Sequence, residues 1–298
     1  MSTQKVRKAV IAAAGFGTRF LPQTKAMPKE MLPLVDKPVI QYVVEALAEA
    51  GIEDIVIVTG YHKRSIEDHF DYMSADLREN LKNAGKTELF KQTKEISNLA
   101  DFAYVRQKGP YGNATPIMNV RHLIGDEPFI YTYADDLIVA SPNHFAQMIA
   151  HYEKTQSCIL PCLEVKTDED YERYGIISGT EIEGGLFKMD TIVEKPGKAQ
   201  APSNLASIGG YLLSPEIFSY LEEDFANHDA ALGEFQVQPA MQRMVEDGKY
   251  LYAMKVQGAS YYDTGNKLEY LKTVVEFALK DKVLSQDFRT FLQSKVRD

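Results

Sequence analysis

Cysteine is nearly absent: the 298 residues contain two, Cys158 and Cys162. Both lie in the apolar run Ser157-Cys158-Ile159-Leu160-Pro161-Cys162, with no histidine or further cysteine at ligand spacing. They read as buried thiols, not as a disulfide framework or a Cys/His metal centre. No stretch approaches the roughly 18 consecutive apolar residues of a membrane helix. The charged N-terminus Met1-Ser2-Thr3-Gln4-Lys5-Val6-Arg7-Lys8 is not followed by the apolar core of a signal peptide, so a cytoplasmic protein with no membrane partner is expected. Positive charge is also in short supply, with 33 Lys and Arg against 42 Asp and Glu, a formal net charge of -9. Such a surface repels nucleic acid and anionic lipid, and no nucleic acid polymer is expected as a partner. A small phosphorylated substrate stays open, because a local basic pocket can coexist with an acidic exterior.

Other absences narrow the field. Repeats, low-complexity segments and Pro/Gly/Ser linkers are lacking, so one continuous domain with insertions is expected over residues 1–298. The glycine loop after the first strand carries no Gly-Lys-Ser/Thr, so it is not a P-loop, and no third glycine completes a dinucleotide fingerprint there.

What is present is an ordinary globular composition, 45% hydrophobic and 25% charged, with strand and helix signals alternating through the first half. Val6 to Ala12 and Ile55 to Val58 read as buried strands, and Ala103 to Arg106 and Phe129 to Tyr133 as further short strands. Val39 to Ala50 and Thr115 to Leu123 read as helices between them, the first stopping at Gly51. Apolar strands without alternation, separated by helices, indicate an α/β fold with a mainly parallel sheet covered on both faces. The strand C-termini then share one edge, where ligands of such sheets bind. Further on, Tyr174 to Val193 reads as a hairpin around Glu183-Gly184-Gly185. Ser207 to Leu213 reads as a strand, Ser214-Pro215 as the start of a helix through Leu221, and Lys267 to Leu279 as a late amphipathic helix. The charged stretch Asp71 to Asn98 reads as an exposed helical excursion.

The first strand runs into Ala13-Ala14-Gly15-Phe16-Gly17-Thr18-Arg19. Two glycines at a strand end let backbone N–H groups approach a phosphate closely. Alone, Gly-x-Gly is as often a structural turn. Here it is followed by Arg19, Lys25 and Lys29 among Pro22, Pro28 and Pro33, a stiff cationic segment suited to a triphosphate. Asp135-Asp136, at the end of a buried strand, and Asp263, beside Gly265, are acids that either cap the following segment or meet a cation.

Gly15-x-Gly17-Thr18-Arg19-x-x-Pro22 with Pro28-Lys29-Glu30-Met31-Leu32-Pro33 resembles the signature of the nucleotide-sugar pyrophosphorylases. Val35 to Val44, Gly51 to Gly60 and Lys63 to Phe70 are similar to the bacterial UTP–glucose-1-phosphate uridylyltransferases within that family. The likeness continues in patches to about Leu279.

That resemblance implies a Rossmann-like nucleotidyltransferase fold of the GT-A-like type. Residues 1–140 would form a nucleotide-binding part, 141–265 a smaller β-rich sugar-binding part and 266–298 the C-terminal helices. It implies UTP and glucose 1-phosphate as substrates, Mg²⁺ as cofactor and a homo-oligomer, dimer or tetramer. Catalysis would fall to Arg19, Lys29 and Lys195. The nucleotide would meet Ala13, Ala14, Gly15, Gly17, Thr18, Glu30, Gln107, Gly112 and Asp135. The sugar would meet Gly175, Glu194, Lys195, Gly209 and Glu234, and Asp135 with Asp263 would hold the metal. The nucleophile, a sugar phosphate, is already ionised at neutral pH. A general base is therefore not needed, in keeping with six histidines of which one, His69, falls in a matched segment and none in the glycine loop or beside the candidate aspartates.

The chain departs from the family pattern in two places. Members usually read Gln-Lys-Glu-Pro-Leu-Gly-Leu-Gly-His-Ala, whereas here the run is Gln107-Lys108-Gly109-Pro110-Tyr111-Gly112-Asn113-Ala114-Thr115-Pro116. Gln238-Pro239 also replaces the usual Thr-Asp. The alternatives within the class are dTTP or another sugar. Outside it stand a non-catalytic nucleotide-sugar-binding regulator and, more distantly, a nicotinamide dehydrogenase.

Overall fold

A computed structural model of the chain describes residues 4–295 apart from Ala230 and Leu232. In the first half, β1 (Lys8–Ala13) leads through the cationic segment to a short hairpin, β2 (Pro33–Leu34) and β3 (Lys37–Pro38), and then to α1 (Val39–Glu49). Next come β4 (Asp54–Thr59), α2 (Arg64–Phe70), α3 (Ala75–Asn83), α4 (Thr87–Ile96), β5 (Asp101–Arg106), α5 (Ala114–Asn119) and α6 (Arg121–Ile124). They are followed by β6 (Phe129–Tyr133), β7 (Asp136–Val139) and α7 (His144–Thr155). The second half holds β8 (Cys158–Glu164), β9 (Gly175–Glu183), β10 (Leu186–Glu194), β11 (Leu205–Ser207), β12 (Tyr211–Leu213), α8 (Ile217–Asn227) and α9 (Gln238–Glu246). It ends with β13 (Leu251–Lys255), β14 (Ser260–Asp263), α10 (Lys267–Lys280) and α11 (Ser285–Lys295).

Ten strands form one sheet in the order β11-β9-β10-β13-β8-β12-β6-β1-β4-β5. β5, β4, β1 and β6 are mutually parallel, Val10 of β1 lying between Val56 and Tyr131. These are the strands read as uninterrupted apolar runs. β1, β4 and β6 carry no alternation because both faces are covered: Val10, Ile117 and Phe218 pack on one side, and Ile11, Val43 and Phe145 on the other, whereas β5, at the sheet edge, has no fully buried residue. Cys158 and Cys162 are free thiols buried in the first of these cores. Beyond β6 the pairing turns largely antiparallel, so the β-rich second half extends the parallel sheet.

Two elements differ from their sequence reading for local reasons. The strand expected over Ser207 to Leu213 is cut into β11 and β12, because Gly209 (φ 75) and Gly210 (φ 96) take the left-handed backbone. A Cβ on Gly210 would stand 2.1 Å from the Tyr131 carbonyl oxygen, so the chain crosses there with no room for a side chain. The helix expected over Thr115 to Leu123 breaks at Val120 into α5 and α6. The helix expected from Ser214-Pro215 begins later, at Ile217, after a turn in which Ile217 N–H donates to Ser214.

Candidate active site

The C-termini of β1, β4, β5 and β6 share an edge because those strands are parallel. β1 delivers Ala13 and Ala14 there, and Gly60 at the end of β4 packs against Ala14 closely enough that a Cβ would meet its carbonyl oxygen at 3.0 Å. Gly17 is left-handed (φ 64), and its carbonyl accepts the Thr24 hydroxyl at 2.7 Å. A side chain at 17 would run into Lys29 Cβ at 3.2 Å. The segment after β1 therefore curls back through three short 3₁₀ turns, Thr18–Phe20, Gln23–Lys25 and Lys29–Met31, and returns Lys29 beneath the glycine loop.

Lys29 meets the acidic end of β6. Its Nζ donates to Asp135 Oδ2 at 2.6 Å, and burial is outweighed by Asp135 and Glu30, which hold its pKa above the ordinary lysine range. Across the cleft β14 pairs with β7 so that Asp263 lies directly opposite Asp136. The Thr264 hydroxyl donates to the Asp135 carbonyl at 2.7 Å, and Tyr261 donates to Asp136 Oδ1 at 3.2 Å. Desolvation, then repulsion from Asp135 and Asp263, pushes the Asp136 carboxyl up to about 7.

Gly265 lies where the charges converge. A Cβ there would stand 3.2 Å from Asp263 Oδ1, 3.3 Å from Asp135 Oδ2 and 3.5 Å from Arg19 Nη1, and Arg19 also donates to the Gly265 carbonyl at 3.3 Å. Two carboxylate oxygens thus border a small cradle with a guanidinium on its rim. Among the described residues no cluster of three or more His, Cys, Asp or Glu could hold a metal alone. Two carboxylates, with phosphate oxygens and water completing the shell, suit a hard cation such as magnesium, and the donor set fits that group.

The sugar-side candidates approach from the hairpin. Glu194 ends β10 opposite Gly175, which begins β9 beside Ser207 of β11. Gly175 lies close beside that carboxylate: a Cβ there would reach Glu194 Oε2 at 3.0 Å. Lys195 turns through a left-handed backbone (φ 48), placing its Nζ 3.4 Å from Glu194 Oε1. Burial raises the pKa of Glu194, and Lys195 opposes the shift. Arg19, Lys29, Asp135 and Asp263 line one cleft of about 720 Å³ together with Gly175, Glu194 and Lys195.

The remaining sequence candidates lie around this cleft. Gly15 and Thr18 are exposed on the glycine loop. Glu30 turns away from the cleft, and its Oε2 takes Lys63 Nζ at 2.6 Å in a buried ion pair. Gln107 extends β5, its backbone N–H donating to Thr59. Gly112 (φ 137) is pressed against the Phe235 backbone, with the Phe235 N–H donating to Tyr111 at 2.7 Å. Gly209 is buried behind the cleft against Ile138. Glu234 and Lys25 are exposed and outside the cleft lining.

Several lining residues escaped the sequence reading: Asn113, Tyr133, Tyr174, Tyr211, Gln238 and Tyr261. Lone tyrosines and amides carry no spacing signal. For Asn113 and Gln238 the available signal was that both fall at departures from the family pattern. Phe16 and Tyr111, both largely exposed, also face one another at 5.5 Å between ring centroids, joining the glycine loop to the segment after β5.

Known proteins share this fold over most of its length. The nucleotidyl transferase family model matches residues 8–279. A UTP–glucose-1-phosphate uridylyltransferase of Bacillus subtilis (strain 168) is 49% identical over 290 residues, which is 97% of each chain. A UDP-glucose pyrophosphorylase solved in complex with UDP-glucose superposes with a TM-score of 0.81 at 39% identity, covering 93% of this chain and 100% of that one. A UTP-bound UGPase of Acinetobacter baumannii gives 0.85 at 33% identity, covering 97% and 99%.

Proposed function

The chain belongs to the nucleotidyl transferase family, and from that premise we propose that it transfers the uridylyl group of UTP to glucose 1-phosphate, giving UDP-glucose and pyrophosphate. The observation that carries the proposal is the meeting of Arg19, Lys29, Asp135 and Asp263 in the cleft that also holds Glu194 and Lys195.

The sugar phosphate oxygen attacks the α-phosphorus of UTP in line, and pyrophosphate leaves from the opposite side. The attacking group is ionised at neutral pH, so the protein need only hold, align and neutralise. The backbone at Ala13 to Thr18 receives the triphosphate, while Gln107 and Gly112 face the nucleobase. Arg19, on the rim of the cleft, takes the charge that grows on the leaving pyrophosphate. Lys29 neutralises the transferring phosphate, exchanging Asp135 for phosphate oxygens as its partner. Lys195 holds the phosphate of the sugar, and Glu194 accepts hydrogen bonds from sugar hydroxyls. Gly209, buried behind the cleft, shapes its sugar side, Glu234 stays outside the cleft lining, and Glu30, paired with Lys63, braces the nucleotide side. Asp135 and Asp263 would hold Mg²⁺, which when bound supplies positive charge against the phosphate oxygens.

A cytoplasmic homo-oligomer belongs to the same proposal. Among the described residues no helix is long and apolar enough to cross a membrane. Leu268 and Leu271 on α10 and Phe291 on α11 are each more than half exposed, apolar side chains that a second copy would cover.

The decisive assay is pyrophosphate release from UTP, dTTP, CTP, ATP and GTP with glucose 1-phosphate, with and without EDTA. UTP-selective, EDTA-sensitive release is expected. A dTTP preference would transfer the assignment to a thymidylyltransferase, and absence of release with every nucleotide would favour a non-catalytic binder.

A further inference from the structure

The two places where this chain departs from the family pattern are joined in the fold. Asn113 stands in the altered run after β5, and Gln238 starts α9 in place of a threonine, 125 positions later. Asn113 Nδ2 donates to Gln238 Oε1 at 3.2 Å, and Gln238 Nε2 donates to Glu194 Oε2 at 2.9 Å and to the Tyr211 hydroxyl at 3.2 Å. The string is oriented from its far end. The backbone N–H of Val237 donates to Asn113 Oδ1 at 2.8 Å, which leaves the Asn113 amide nitrogen as the group facing Gln238. That amide nitrogen also reaches the Tyr133 hydroxyl at 3.3 Å, and Tyr131 donates to the Asn113 carbonyl at 2.7 Å.

Each amide therefore has one permitted orientation. Turning Gln238 over would set its carbonyl oxygen against the Glu194 carboxylate, which only accepts, and its NH₂ against the Asn113 NH₂. Gln238 is 5% exposed, so water cannot replace the lost bonds readily. An amide is the group this place requires: a carboxylate would repel Glu194, and an aliphatic chain would leave one of its oxygens unmatched.

We propose that Asn113 and Gln238 are positioning residues that hold the Glu194 carboxylate for the sugar, a device by which this chain sets its selectivity for the sugar 1-phosphate. The proposal rests on the assignment of Glu194 to sugar hydroxyls. Groups facing that carboxylate are Lys195, the amide of Gln238 and the charge of Glu234, with the Tyr211 and Tyr133 hydroxyls further along the string.

The test is the split between two Michaelis constants in Gln238→Leu, Asn113→Ala and the isosteric Gln238→Glu, with folding checked by thermal melts. Gln238→Leu should raise the KM for glucose 1-phosphate about tenfold or more and leave the KM for UTP within about twofold, because, of the groups assigned to substrate, only the sugar-facing carboxylate loses a partner. The other groups that lose one are Asn113 and the Tyr211 hydroxyl. Asn113→Ala should move the same constant in the same direction by a smaller factor. In Gln238→Glu, a shared proton can replace the amide donor at about pH 5.5 and is lost by about pH 8, so its sugar KM should be near wild type at the lower pH and well above it at the higher. If Gln238→Leu does not fold, the Gln238→Glu profile carries the test by itself. Unchanged sugar KM values, or equal rises for both substrates, would overturn the proposal. The wild type, assayed with glucose 1-phosphate and with other hexose 1-phosphates, reports separately on the reaction: activity only with another sugar 1-phosphate changes the proposed substrate, and the split is then read on that sugar. A wild type inert with all of them overturns both.

Discussion

Lys29 Nζ lies 2.6 Å from Asp135 Oδ2, a contact between residues 106 positions apart that closes the glycine loop onto the acidic end of β6. It is formed because Gly17 reverses the chain over Lys29, while Thr264 and Tyr261 pin the segment that carries Asp135 and Asp136. A bound triphosphate would place its oxygens between the two. Arg19, by contrast, is exposed and makes one long bond to a carbonyl, so its contribution belongs to the loaded site and not to the fold.

From that difference Arg19→Ala should fold normally, with its melting temperature within about 2 °C of wild type, since exposed substitutions rarely move stability by more than ~0.5 kcal/mol. Its kcat should fall by about 10² to 10³, the usual consequence of removing one preorganised donor to a charged transition state. Steady-state kinetics beside a melt would check both halves, and near-normal turnover would remove Arg19 from catalysis.

Glu30 and Lys63 form a buried ion pair, 1% and 5% exposed, that fastens the Lys29–Met31 turn to α2. Burial raises the pKa of the glutamate and lowers that of the lysine, each shift opposed by the partner. Removing one charge strands the other, so Lys63→Met should lose about 3 kcal/mol or more of stability. The double variant Glu30→Gln/Lys63→Met should recover most of it, and urea unfolding of the four proteins would measure the coupling. Additive losses in the double variant would show that the pair is not a unit. A contact between Glu30 and the nucleotide would appear separately, as a raised UTP KM in Glu30→Gln.

Gly175→Ala should separate binding from stability. The added methyl meets the far end of the Glu194 side chain at 3.0 Å and Ile192 at an ordinary 3.7 Å, so a shift of the carboxylate by a few tenths of an ångström against its Gln238 bond relieves it at small cost to the fold. Stability should change by less than about 1 kcal/mol. The displaced carboxylate should raise the KM for glucose 1-phosphate roughly fivefold to tenfold, with UTP unaffected. A variant with both constants unchanged would place the sugar elsewhere.

Legibility in the sequence followed the length scale of the signal. β1, β4 and β6 were readable because strands covered on both faces are apolar throughout, and α1 because its stripe ends at Gly51 with a left-handed backbone (φ 89). The cationic loop and the aspartates were readable as residue types and, through the family resemblance, as sites. That Asp263 would stand opposite Asp136 was not readable, because the register of β14 on β7 is set by tertiary packing across 127 positions. The break at Gly209-Gly210 was hidden for a related reason: two glycines in an apolar run read as a weakened strand until the Tyr131 carbonyl shows what they must avoid. Asn113 and Gln238 looked like losses from a motif, and only the fold reveals that they are partners of one another.

His144 supplies a pH signature independent of the cleft chemistry. Its ring is 2% exposed, lies tilted against Phe145 at 3.8 Å between centroids, and neither nitrogen finds a hydrogen-bond partner among the described residues. Burial drives its pKa down to about 4, opposed only by the nearby Gly209 backbone. The unfolded chain, with an ordinary histidine pKa of about 6.5, then binds more protons than the folded one between those limits. Stability must therefore fall on acidification from about pH 6.5 to about pH 4, by on the order of 3 kcal/mol if this ring acts alone. His144→Leu keeps the pocket apolar and removes the titrating group. Its unfolding free energy should be flatter across that window than that of wild type, while the two proteins respond alike above about pH 7. Denaturant titrations at a series of pH values would decide it, and parallel curves throughout would mean that His144 reaches water and ionises freely in the native state.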